Sequence, residues 1–177
     1  MTDLRRLVLL ALMVAQAMIL SIVETWIPVP TVIPGVKLGL ANIITLIVVM
    51  HFGLRDALTV VTVRCILTSM FAGGISLLPF SLTGGILSTL AMYFLYRRFS
   101  KTFSTVGISV GGSAMHNIGQ LLAASVVMRD LAVFGYLPIL MVSGIIMGCF
   151  IGVCAHFLSA ALKKTGLFAG ITEKHKY

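Results

Sequence analysis

The chain has 177 residues, 59% of them hydrophobic and only 10% charged, and a mean hydropathy of +1.09. A soluble domain with that balance would lack a charged surface, so the composition excludes a soluble enzyme or binding module and points to an integral membrane protein. A net charge of +8 would suggest nucleic acid in a soluble protein. Here the placement of the charges accounts for it, and no nucleic-acid partner is expected.

Six apolar runs are expected to span the bilayer, at about 7–27, 38–52, 57–71, 75–96, 104–128 and 134–162, in a single transmembrane domain over 1–177. The fold class expected is an all-α integral membrane protein. Of the 13 Lys and Arg, only Lys37, Arg64 and Arg129 fall outside the inner side, which places both termini in the cytoplasm. The first run follows Arg5 and Arg6. It is too long for a secretory leader, lacks a clear small-residue cleavage site and is followed by further spans. It carries Ala11 and Ala15, a small-xxx-small pair that admits a close helix neighbour. Glu24 stands near its outer end, where a carboxylate needs a cation or hydrogen-bond donors.

Pro28, Pro30 and Pro34 forbid a regular helix in the outer loop, and Trp26 is placed as an interfacial anchor. The loop leads to Lys37 and, about one turn into the second span, Asn42. Lys37 at a helix start is either a binding group for an anion, aided by free N–H groups, or a snorkelling interfacial lysine. The second span is short, and His51 at its inner end reads as interfacial. Arg64 lies in the middle of the third span, with Thr68 one turn on. An arginine there costs about 2.5–3.5 kcal/mol even on the lenient insertion scale. Either a ligand anion or an ion pair with Glu24 is expected to offset it.

The fourth span opens near Pro79, expected to kink or fray it, and carries Ser81, Gly84, Gly85 and Ser88 on one face. The fifth contains Gly107 to Gln120, in which Ser109, Ser113, His116, Asn117 and Gln120 share an arc of about 100°. Such a face either joins helices or lines a pocket. Arg129 and Asp130 end that span outside. The sixth carries Gly144, Gly148 and Gly152, a helix-packing groove, and a cytoplasmic tail covers 165–177. Cys65, Cys149 and Cys154 are read as small buried residues without metal-ligand spacing, so neither metal nor cofactor is expected.

Taken together, Pro34-Gly35-Val36-Lys37-Leu38-Gly39-Leu40-Ala41-Asn42, Arg64, Ser81-Leu82-Thr83-Gly84-Gly85, Gly107-Ile108-Ser109-Val110 and His116-Asn117-Ile118-Gly119-Gln120 resemble the bacterial Gx transporter family. That family is also labelled heptaprenyl diphosphate synthase component I, and the resemblance runs from about Leu7 to Leu162. It implies a six-transmembrane-helix bundle like the substrate-binding S components of energy-coupling factor transporters, in the bacterial plasma membrane. It further implies that Ala11 and Ala15 dock on a transmembrane coupling protein with its ATPases. The family's association with quinone side-chain synthesis and flavin-linked electron transfer implies a prenyl synthase or flavoprotein as alternative partner.

Prenyl diphosphate synthases hold magnesium against a diphosphate with clustered aspartates. Asp3, Asp56 and Asp130 are isolated from one another, so no such catalysis is expected of this chain alone. The function expected is uptake of a small anionic or amphipathic ligand, energised by a partner because no GxxxxGK motif occurs. The ligand-binding residues expected are Glu24, Lys37, Asn42, Arg64, Ser113, His116, Asn117 and Gln120. A non-catalytic accessory of quinone synthesis or electron transfer is the alternative.

Overall fold

A computed structural model describes residues 3–26 and 37–165. The proline-rich loop at 27–36, residues 1–2 and the tail beyond Thr165 lie outside the described residues. Within them the chain is helical, without strands. The α-helices are α1 (Asp3–Thr25), α2 (Asn42–His51), α3 (Leu54–Thr68), α4 (Leu78–Phe99), α5 (Thr105–Met128) and α6 (Leu137–Lys164). Three helical stretches, Leu4–Thr25, Ile75–Phe99 and Leu131–Lys164, are long and apolar enough to cross a membrane. They turn exposed leucine, isoleucine, valine and phenylalanine side chains outward, the surface that lipid requires.

The second helix departs most from expectation. It has 10 residues, about 15 Å at 1.5 Å per residue, half of a hydrocarbon core about 30 Å thick. Residues 38–41 enter as a non-helical segment and turn at Gly39, where φ is +88° and a side chain would be strained. Nearly every residue of α2 is buried, and the helix touches α1, α3, α4, α5 and α6. It is a half-helix enclosed by the bundle, with Asn42 at its N-terminus buried. Irregular backbone inside a membrane protein is tolerated where protein surrounds it.

Around α2 lies the larger apolar core, which includes Leu46, Ile47, Phe52, Met92, Ile108 and Ile151. A second cluster, Phe80, Leu121, Ala123, Ala124, Val133 and Leu140, packs at the other end of α4, α5 and α6. The polar residues of the interior fall between the two. At the basic end, Arg6 grips Asp56 of α3 through contacts of 2.7–3.2 Å, fixing α1 against α3.

Small residues set the helix spacing. A Cβ on Gly119 would stand 2.8 Å from Gly84 Cα, so α4 and α5 meet backbone to backbone, and Thr83 Oγ1 donates to Gly119 O at 3.0 Å. Gly144, Gly148 and Gly152 of α6 face Val106, Ser109, Val110, Ser113 and Asn117 of α5, as a small-residue groove would.

Several local readings are corrected. Pro79 lies in the first turn of α4, where its missing N–H is harmless, and does not kink the helix. His51 is buried: Nδ1 meets Ile47 O at 3.0 Å and Nε2 meets Ser159 Oγ at 3.5 Å, tying the end of α2 to α6. Of the cysteines only Cys65 is buried, whereas Cys149 faces outward and Cys154 is intermediate. The end of α5 falls at Arg129 as expected: Arg129 takes the left-handed conformation there, and Asp130 caps the next turn through Ala132 N–H. The third span is longer than α3 because a π-helical turn, Ser69–Gly73, continues it.

Candidate functional site

The site forms where the segment before α2 meets α1, α3, α4 and α5. Glu24, near the end of α1, is 4% exposed and accepts hydrogen bonds at both carboxylate oxygens. Gly39 N–H donates to Oε1 at 2.5 Å and Leu40 N–H to Oε2 at 3.1 Å. The free N–H groups expected to attract an anion are thus partly satisfied by a carboxylate of the chain itself. That arrangement suits both the positive end of a helix and a carboxylate with two donors.

The same segment is held from α5. In the amide orientation that satisfies both groups, Gln120 accepts from Lys37 N–H at 3.0 Å and from His116 Nε2 at 3.3 Å, and donates to Lys37 O at 3.2 Å. His116 is therefore an Nε2 donor, with Nδ1 turned toward Gly84. Its ring packs on Gly39, where a Cβ would lie 3.3 Å from Cδ2. Gly84 and Gly39 have no side chain because the imidazole occupies that space.

Arg64 enters from α3. At 1.5 Å per residue it stands roughly 15 Å along α3 from Leu54. It is 5% exposed, Nη1 donates to Ser21 Oγ of α1 at 2.9 Å, and Nη2 lies over Gly85 of α4. Its Nε and Nη2 have no hydrogen-bond partner among the described residues. Asn42, 2% exposed in the first turn of α2, likewise leaves both amide atoms unpartnered among them, and so does Thr68 Oγ1. The expected Arg64–Glu24 ion pair is absent among the described residues, where Arg6–Asp56 is the salt bridge present. Glu24 nonetheless feels the charges of both Lys37 and Arg64.

Six of the eight residues singled out from sequence, Glu24, Lys37, Asn42, Arg64, His116 and Gln120, come together in this chamber. The other two turn toward α6. Asn117 Nδ2 donates to Leu140 O at 2.5 Å, in space left by Gly144, and Ser113 Oγ faces Gly148. Ser21 is a member that sequence reasoning overlooked. Its signal was its position one turn before Glu24 on the same face. Ala11 and Ala15 are exposed on α1, away from the chamber.

A bundle with these features matches the family model described as heptaprenyl diphosphate synthase component I over residues 13–158. No curated protein and no solved structure matches the chain. The family match takes in every chamber residue and all six helices in whole or large part, and on that extent the chain belongs to the heptaprenyl diphosphate synthase component I family.

Proposed function

We propose that this membrane protein is a binding subunit of the S-component type. It takes a small anionic or amphipathic molecule from the outer side of the bacterial plasma membrane, with both termini in the cytoplasm, and relies on a partner for energy. The observation that carries this reading is Arg64: a permanent cation, 5% exposed, with two donors unpartnered among the described residues beside the N-terminus of a half-helix. Burying a charge without compensation is costly, and leaving donors unpaired adds to the cost. Transport proteins use interrupted helices in this way, presenting backbone and charge to a substrate inside the bilayer.

Glu24 and Gln120 fix the approach segment, His116 supports it, and Arg64 with Asn42 supplies the contacts to the ligand. Lys37 adds positive charge. Ala11 and Ala15 form the docking groove for a coupling protein, since they are exposed and spaced for a close helix crossing. The family's name favours one other reading, a non-catalytic membrane accessory of a prenyl diphosphate synthase. In that case the outward face of α1 would bind the synthase.

The test is what the purified protein retains. Mass spectrometry of wild type should show a small molecule that Arg64→Gln loses and Lys164→Gln keeps, with thermal stability followed in all three. Retention by Arg64→Gln at wild-type level, or loss only in step with loss of folded protein, would overturn the binding reading.

A further inference from the structure

The chamber is one negative charge short, and the whole chain shows why. It has five acidic residues. Asp56 is held by Arg6 and Asp130 by the Ala132 N–H. Asp3 begins α1, at the end opposite Glu24. Glu173 falls in the tail beyond Lys163 and Lys164, outside the described residues, and residues 25–36 of the outer loop include no acid at all. Glu24 alone remains to face two cations, Lys37 and Arg64, and both of its oxygens are already engaged by Gly39 and Leu40.

The unmet demand is specific in shape as well as sign. Arg64 uses Nη1 on the neutral hydroxyl of Ser21 and leaves Nε and Nη2 unpartnered among the described residues. Those two nitrogens form one edge of the guanidinium, the edge that takes a carboxylate through two parallel hydrogen bonds. Asn42, buried in the first turn of α2, adds a donor and an acceptor that have no partner among the described residues.

We infer that the chamber is a monoanion site: its ligand carries one negative charge, as a carboxylate held by the Nε and Nη2 edge of Arg64, and multiply charged head groups such as diphosphates are rejected. One added charge balances Lys37 and Arg64 against Glu24. A second or third would stand unpaired in a low-dielectric interior near a carboxylate of the same sign, which penalises binding. The inference rests on the proposed ligand-binding role and narrows it away from the diphosphate chemistry in the family's name.

The experiment measures thermal midpoints of the full-length protein in non-ionic detergent and zwitterionic buffer, titrated with acetate or with sulfate at matched ionic strength. Only the part of each shift that Arg64→Gln lacks is counted, which removes general salt effects. Acetate should raise the wild-type midpoint saturably, by about 2–4 °C, less in Arg64→Lys, and sulfate should give no such shift. Glu24→Gln, which removes the internal negative charge, should gain a shift with sulfate. An Arg64-dependent sulfate shift equal to or above that of acetate in wild type would overturn the monoanion inference while leaving the chamber a ligand site. No Arg64-dependent shift with either anion would overturn both. Should Arg64→Gln not fold, Arg64→Lys decides, and an acetate shift as large as wild type would overturn recognition by the guanidinium edge.

Discussion

Two edges of α5, less than a third of a turn apart, meet different neighbours and have different fates. On one edge Asn117 bonds Leu140 O, and Ser113 and Ser109 lie against the glycines of α6. On the other His116 and Gln120 hold the irregular segment before α2, beside Arg64 and Asn42 with their unpartnered groups. The first edge joins helices. The second faces the unpartnered donors of a buried cation. Polar residues in a span therefore do not announce their role by type or spacing. What differs is the facing element: α6 offers Asn117 a carbonyl but leaves the Ser109 and Ser113 hydroxyls unpartnered among the described residues, whereas the other edge meets a charged guanidinium and an amide with unpartnered groups of their own.

The largest effect should come from Arg64→Gln, which removes the charge from the second edge. A charge-assisted hydrogen bond contributes about 1.5–3 kcal/mol, so affinity for the retained molecule should fall roughly 10- to 150-fold. Equilibrium binding of that molecule checks it. His116→Ala should weaken binding less, because it acts through the position of the Lys37 segment. If it weakens binding more than Arg64→Gln does, the imidazole and not the guanidinium is the main contact.

Next in size is a glycine of α6 that the first edge packs against. A Cβ on Gly148 would lie 2.6 Å from Val110 Cα, backbone that no rotamer change can move. Gly148→Ala should therefore push α5 and α6 apart and cost about 1–3 kcal/mol. Gly135→Ala, which meets nothing within 4 Å, is the control. Thermal unfolding in detergent reads the difference, and equal midpoints would mean that the α5–α6 seam is looser than its contacts indicate.

Asn117→Ala should cost less, about 0.6–1.7 kcal/mol, the range for interhelical hydrogen bonds in membranes. Leu140 O still accepts from Ser143 Oγ at 3.0 Å, which softens the loss. Ligand retention should not change. A variant that keeps its stability but loses the ligand would move Asn117 to the other edge and dissolve the distinction.

Much of this architecture was legible in the residues. Apolar runs and basic turns locate the helices, and the cost of an arginine in an apolar run singles out Arg64, which the fold buries between α1, α3 and α4. The length of α2 was not legible, because an apolar run from Leu38 to Phe52 reads alike whether its first turn is helical or extended. Gly39 alone hints at the break. Nor could a polar arc about 100° wide be divided between neighbours before those neighbours were known. His51 and Cys149 failed for the same reason: a residue at the end or side of an apolar run is buried or bare according to what packs there, and α6 covers His51 but leaves Cys149 outward.

The smallest effect on stability belongs to Ala11→Leu and Ala15→Leu, and it sharpens the lesson of the two edges. Ala11 and Ala15 share with Gly144, Gly148 and Gly152 the interval of four that permits close helix approach. The glycines have α5 opposite them, whereas both alanines are exposed on α1. Enlarging an exposed alanine fills no occupied space, so folding should change by less than about 0.5 kcal/mol. If a membrane partner lies against that groove, two leucines would hold it off. Co-purification of the coupling protein or synthase with the double variant should then fall while the thermal midpoint and ligand retention stay at wild-type values. Undiminished co-purification would leave the alanines a lipid-facing surface and move the partner's site to another face. A large drop in midpoint would instead mean that α1 packs more tightly within the bundle than its exposure suggests.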